Sequence, residues 1–189
     1  METLNEEILK YKKNLKEFLD KIDPIKILKL VNEIEIVWKN SSNIFICGNG
    51  GSAGNANHIA NDFLYGVGKT NGIGVKIESL SANPAVITCL ANDTGYENIF
   101  SEQIKVKGKE GDLLIVLSGS GNSKNIINAL NIANEKKLRT FSILGFDGGK
   151  CKEISQQFIH SEINDMQISE DLQLSVMHMC MQILSKKKI

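Results

Sequence analysis

Chemistry in this chain is concentrated in a few short stretches. His58 and Asp62 stand four residues apart in Asn57-His58-Ile59-Ala60-Asn61-Asp62-Phe63, a spacing that sets an imidazole and a carboxylate on one helix face. Glu170 and His178 stand eight apart, about two helical turns, and roughly share a face in the same way. Taken singly, each pair has an ordinary reading. A surface His/Asp pair contributes roughly a few tenths of a kcal/mol, and a histidine inside Val176-Met177-His178-Met179-Cys180-Met181 is commonly a satisfied core residue. Two imidazoles and two carboxylates in one small chain are also a donor set for proton transfer, or for Zn²⁺ or a similar divalent ion. His160 has no identifiable partner in the sequence and reads as structural.

Two serine/glycine loops supply a second kind of chemistry. The apolar run Ile44-Phe45-Ile46-Cys47 ends in Gly48-Asn49-Gly50-Gly51-Ser52, and a helical pattern follows. Strand, glycine-rich turn and helix in that order leave backbone N–H groups and a helix N-terminus free for an anion. The second loop, Ser118-Gly119-Ser120-Gly121-Asn122-Ser123, follows another apolar run, Asp112 to Leu117. Three hydroxyls within six residues suit the acceptor oxygens of one phosphate. Either loop alone is also explained as a capped flexible turn; two of them after two strands of one sheet point to a phosphate site. Gly48-x-Gly50-x-x-Ala53 also fits a dinucleotide fingerprint. That motif wants an acidic residue about 20 positions on; Glu78 falls late, and a dinucleotide leaves the second serine loop unexplained.

The positioning elements follow from periodicity. Leu4, Ile8, Tyr11, Leu15 and Leu19 predict a helix from about Thr3 to Ile22. Asp23-Pro24 stops it and starts a second helix to about Lys39, with Asp as N-cap and Pro in the first turn. Strands are then predicted at 44–47, 75–77, 112–117, 139–144 and 158–160. Helices are predicted at 52–65, 84–90 (capped by Asn83), 99–106, 125–136, 151–155 and 170–185. Residues 66–74 read as a loop and Asn92 to Tyr96 as a polar turn. Alternating strands and helices with continuous apolar strands imply an α/β fold with a doubly wound parallel sheet. The whole chain, 1–189, reads as one domain: a helical pair over 1–40 that can pack on a second subunit, and an α/β core over 43–189.

Composition closes off several classes of partner. Lys plus Arg and Asp plus Glu number 22 each, so no basic excess argues for nucleic acid or an anionic membrane. Lys186-Lys187-Lys188 reads as a solvated tail. No apolar run approaches the roughly 20 residues of a membrane span, and Met-Glu-Thr-Leu-Asn-Glu-Glu lacks a signal-peptide core. Cys47, Cys89, Cys151 and Cys180 are far apart, as expected of reduced, mostly buried thiols in a cytoplasmic protein.

On these residues the chain resembles the SIS-domain phosphoheptose isomerases. The resemblance rests on Gly48-Asn-Gly-Gly-Ser52, His58, Ala91-Asn92-Asp93-Thr94-Gly95, Ser118-Gly-Ser-Gly-Asn-Ser123, Asp147-Gly148-Gly149 and Val176-Met177-His178. It implies a flavodoxin-like five-stranded sheet and a homotetramer with active sites between subunits. It implies that Ser52, Ser118, Ser120 and Ser123 hold the substrate phosphate, with Asn49, Gly50, Gly51, Asn92, Asp93 and Gly119 around the substrate. His58, Asp62, Glu170 and His178 would surround the reactive carbons and hold zinc, with Asp62 and His178 in acid/base roles. Asp62 stands where the family usually has Glu, and Glu170 where it has Gln. The implied reaction converts sedoheptulose 7-phosphate to a heptose 7-phosphate, feeding surface-polysaccharide synthesis. The alternatives are an isomerase of another sugar phosphate and a non-catalytic SIS protein that senses sugar phosphates or serves as a scaffold.

Overall fold

The computed structural model describes residues 2–187. Two helices come first, Glu2–Lys21 (α1) and Pro24–Lys39 (α2). Asp23 caps α2 by accepting the Ile25 N–H at 2.9 Å, which satisfies one of the helix's orphan donors. The α/β part runs Ile44–Cys47 (β1), Gly51–Asn61 (α3), Gly68–Asn71 (α4), Ile77–Ser79 (β2), Pro84–Thr94 (α5), Ser101–Lys107 (α6), Leu113–Ser118 (β3), Lys124–Glu135 (α7), Arg139–Leu144 (β4), Gly149–Ile154 (α8), Gln157–His160 (β5) and Met166–Leu184 (α9).

The strands form one parallel sheet in the order β2-β1-β3-β4-β5. Their side chains alternate between two helical layers, because successive residues of a strand face opposite ways. Ile44, Ile46, Leu113, Ile115 and Leu117 pack with α2, α3 and α9. Phe45, Cys47, Leu114 and Val116 pack with α6, α7 and α8. Helix α2 is therefore a full member of one layer, burying Ile27, Leu30, Val31, Ile34, Val37 and Trp38. Its half-buried edge is tied to the sheet through Glu33, which accepts from Arg139 and Gln157 at 2.7 Å each. Helix α1 lies further out. Tyr11, Leu15, Phe18 and Leu19 pack on Ile163, just before α9, and on Ile168 and Leu172 in its first turns, and Tyr11 donates to Asp171.

Several element boundaries differ from the sequence reading. The stretch 66–74, read as loop, begins inside a wide helical turn over Asp62–Gly66 and includes α4. Phe63 and Val67 are fully buried, so packing carries the helix through glycines that read as breakers. The second strand lies at 77–79, where 75–77 was expected. Helix α5 continues through Asn92 and Asp93 to Thr94, and stops where Gly95 takes a φ of 93°. Helix α9 starts four residues early because Asp165 caps it, accepting the Ile168 N–H at 3.0 Å. Lys187 is paired with Glu35 on α2, so that part of the tail is anchored; Lys188 lies outside the described residues. No described helix is long and apolar enough to cross a membrane.

Candidate active site

The strand order reverses between β1 and β3, and in an open parallel sheet ligands bind beyond the strand carboxyl ends at such a switch point. Both serine loops leave the sheet there, Gly48–Ser52 after β1 and Ser118–Ser123 after β3. The helices they lead into go to opposite layers, α3 to one and α7 to the other. The preceding residues, Gly50 and Ser123, provide no side-chain cap. Among the described hydrogen bonds, the N–H groups of Gly51, Ser52, Lys124 and Asn125 find no acceptor. Two helix N-termini with open donors thus converge on one crevice, and that arrangement suits a phosphate.

The second loop is braced from behind. Ser118 is buried and its Oγ accepts the Gly121 N–H at 3.0 Å. Gly121 has a φ of 65°, and a Cβ there would sit 2.0 Å from the Gly148 carbonyl oxygen, so only glycine fits. The Gly121 carbonyl accepts from the Cys151 N–H at 3.0 Å, and Asn122 Oδ1 accepts from the Lys150 N–H at 3.1 Å. His160, without a partner in the sequence reading, lies with Nε2 3.0 Å from the Phe146 carbonyl. Phe146 itself has a φ of 45°, so His160 steadies the bracing loop at a strained residue. A cavity of about 610 Å³ opens beside this loop, lined by Ser120, Asn122, Phe146, Asp147, Glu162 and Asn164.

A separate cluster forms where α3 meets α9. His58 Nε2 and His178 Nε2 are 3.2 Å apart, and each is 3.4 Å from Asp62 Oδ2. The imidazoles are roughly half exposed, and their planes cross at 83°. Asp62 opens the wide turn after α3, its carbonyl accepting the Val67 N–H five residues on; such turns recur at functional sites. These three donors form a group able to hold a metal ion. The distances can be tested against one. Nitrogen and oxygen ligands about 2.0–2.1 Å from a tetrahedral Zn²⁺ lie about 3.3–3.4 Å from one another. A triangle of 3.2, 3.4 and 3.4 Å matches the edge lengths of one face of such a tetrahedron.

Glu170 lies apart from this trio. A Cβ on Gly51 would fall 2.3 Å from its Oε2, so the carboxylate rests on the first turn of α3, about 12 Å along α9 from His178. The structure thus joins His58, Asp62 and His178 within one chain and sets Glu170 at the phosphate end. Asn92 and Asp93 occupy the last turn of α5, where Asn92 Nδ2 donates to Asp93 Oδ1 at 2.7 Å. None of their described hydrogen bonds reaches either serine loop. Two residues with no visible signal in the sequence enter the site: Asn125 and Tyr96 both hydrogen-bond to Asn49. Asn125 looked like any polar residue in the first turn of a helix.

Comparison with known proteins agrees with this architecture. The SIS domain family model matches residues 10–145, so the protein is of the SIS-domain class. A phosphoheptose isomerase of Helicobacter pylori is 34% identical over 175 residues, covering 93% of this chain and 90% of that protein. The phosphoheptose isomerase of Aliarcobacter butzleri is 34% identical over 182 residues, covering 96% and 92%. The solved phosphoheptose isomerase of Francisella tularensis superposes with a TM-score of 0.90 at 22% identity, covering 99% of this chain and all of that one. The chain belongs to the phosphoheptose isomerase family of SIS-domain proteins.

Proposed function

We propose that the protein is an aldose–ketose isomerase that converts sedoheptulose 7-phosphate to D-glycero-D-manno-heptose 7-phosphate, the entry step to activated heptose for surface polysaccharide. The observation that carries this reading is one chain's pairing of a two-loop phosphate crevice with the His58–Asp62–His178 trio. Membership of the phosphoheptose isomerase family supplies the sugar. Isomerisation moves a proton between C1 and C2 through an enediol, and needs a base, a proton donor and stabilisation of the developing oxyanion.

Asp62 is the base. Its Oδ2 faces both imidazoles, while Oδ1 makes no described hydrogen bond and is free to take the proton. With its Nε2 free of metal, His178 returns a proton from that nitrogen as the acid/base partner. Ser52, Ser118, Ser120 and Ser123, with the open N–H groups of both helices, hold the phosphate, and that binding energy goes into orienting the sugar. Asn49, Gly50, Gly51 and Gly119 line the same crevice; Asn92 and Asp93 are assigned to the sugar. Zn²⁺ fits the three-donor face, held by His58, Asp62 and His178, and when bound it would polarise the substrate's oxygens. Glu170, the fourth residue of the expected ligand set, acts from the phosphate end. We also assign a homotetramer. In the single chain Leu4, Ile8, Leu9, Ile25 and Leu28 of α1 and α2 are exposed, and α5 has no buried residue. Light scattering on the purified protein tests it, and a monomer sinks it.

The direct test is turnover in D₂O, followed by NMR. Deuterium at the transferred position with appearance of the aldose supports the assignment. A protein that neither exchanges the proton nor forms aldose from sedoheptulose 7-phosphate is not this isomerase, and a panel of other ketose phosphates then separates a different substrate from a non-catalytic binder.

A further inference from the structure

The two halves of the phosphate crevice belong to loops that are distant in sequence, and the β1–β3 ladder stops short of both. The β1–β3 ladder ends at Cys47 opposite Val116. Beyond that rung, the described residues offer one direct hydrogen-bonded link between the loop after β1 and the loop and helix start after β3. Asn49 Nδ2 donates to Asn125 Oδ1 at 2.9 Å, and Asn125 Nδ2 donates back to Asn49 Oδ1 at 2.8 Å. This closed amide pair spans the crevice just past the switch point.

The pair is locked in one orientation. Asn125 Oδ1 also accepts the Ile126 N–H at 3.0 Å; turning both amides over would set two donors against each other there. Asn49 Oδ1 takes a further donor, the Tyr96 hydroxyl at 3.0 Å. Asn125 is 2% exposed, so its amide is shielded from competing water, and an unmade hydrogen bond there is costly. We propose that Asn125 is a positioning residue. Acting through Asn49, it sets the separation of the Gly51–Ser52 and Ser118–Ser123 half-sites, and Tyr96 holds Asn49 in the orientation that lets the pair close. Neither residue need touch the reacting carbons: their effect is on phosphate capture.

This inference rests on the phosphate-crevice reading above, and its test separates the two. Inorganic phosphate binding is measured by calorimetry, alongside KM and kcat for sedoheptulose 7-phosphate, on the full-length protein and on Asn125→Leu and Tyr96→Phe. Asn125→Leu keeps the side-chain size and removes the two hydrogen bonds to Asn49 together with the one from the Ile126 N–H; Tyr96→Phe removes only the hydroxyl of a residue that is 55% exposed, so folding is not at stake. Asn125→Leu is expected to weaken phosphate binding and raise KM by about 10–100-fold, the scale of leaving buried polar groups unpaired, with kcat falling by less than KM rises. Tyr96→Phe should move both quantities in the same direction by a smaller factor. Wild-type phosphate affinity in the variants overturns the positioning role while leaving the crevice intact, and so does a fall in kcat at unchanged KM. If Asn125→Leu does not fold, unchanged phosphate binding in Tyr96→Phe overturns it. A wild-type protein that binds no phosphate overturns both readings, whereas phosphate binding without turnover overturns the isomerase assignment alone.

Discussion

Replacing Asp62 by Asn is the sharpest probe of the His/Asp trio. The change keeps the size and planar shape of the side chain and removes its negative charge. As it stands, the triangle of Asp62 Oδ2, His58 Nε2 and His178 Nε2 has edges of 3.4, 3.4 and 3.2 Å. Those match the ~3.3–3.4 Å edges of a tetrahedral zinc site to within about 0.2 Å, so the protein would not need to rearrange to take the ion. Loss of a donor is then felt in full. Removing a partner that merely supports a ligand costs ~10–100-fold in metal affinity, so loss of the charged donor itself should cost at least about 100-fold, or ~2.7 kcal/mol. The assay is a zinc titration of metal-free protein against a chromophoric chelator of known affinity. Wild type should take up one Zn²⁺ per chain, with Asp62→Asn, His58→Gln and His178→Gln all weaker. Because the readout is metal binding, it stands whether or not the substrate is correctly named. Wild-type protein that takes up no zinc, or an Asp62→Asn protein that binds it equally well, would refute the reasoning.

Three further outcomes are expected. Glu170 rests on Gly51 at the start of α3, where it shares the positive end of the helix with any bound phosphate. Glu170→Gln should therefore tighten inorganic phosphate by about 3–10-fold at low salt and less at high salt; a weaker complex in calorimetry would contradict it. The Tyr11 hydroxyl is pushed up to about 12, chiefly by its hydrogen bond to Asp171, then by burial and by the charges of Asp171 and Asp165. A raised phenol contributes stability that is complete below its unfolded value near ~10 and lost as pH climbs through the folded value. Docking of α1 should thus weaken between pH 10 and about 12, and Asp171→Asn should bring one tyrosinate absorbance step down; a titration unchanged by that substitution counts against it. Cys89 is exposed, while Cys47, Cys151 and Cys180 are buried, with burial pushing the last two thiols up to about 12. A thiol reagent should modify one cysteine in the native protein and four after denaturation, and mass spectrometry would locate the first.

The parts of the fold carried by local signals were readable in the residues. Asp23-Pro24 and Asn83-Pro84 open helices as their types demand, and continuous apolar strands implied a parallel sheet, which is present. Segments controlled by tertiary packing were harder to read. The glycines and polar residues of 66–74 look like a loop, yet Phe63 and Val67 are anchored in the core and keep the chain helical. Asn92 to Thr94 are helical because the stop lies at Gly95, which alone there can adopt a φ of 93°. Asp165 caps a helix whose first turn, Met-Gln-Ile-Ser, carries no strong helical period.

The candidate site divides along the same line. The i, i+4 spacing of His58 and Asp62 and the i, i+8 spacing of Glu170 and His178 are properties of single helices. Which members of the two sets meet depends on how α3 and α9 lie together. Both helices follow parallel strands, so they run side by side in the same direction, and their contacts advance in step. Gly51 faces Glu170, Asn55 donates to the Glu170 carbonyl at 3.0 Å and to Gln173 Oε1 at 3.1 Å, His58 meets His178, and Gly66 faces Met181. In that register a residue at the start of α9 cannot reach the end of α3. Glu170 is committed to the phosphate end by the contact that requires glycine at 51, and His178 is delivered to Asp62 two turns later. Gln173, buried at this seam, accepts from Asn55 through Oε1 and so ties the two helices together midway between these contacts. A one-residue slide of α9 would rotate His178 by about 100° around its helix and break the trio, so packing between these two helices, more than either spacing, decides whether the chain has a reactive centre.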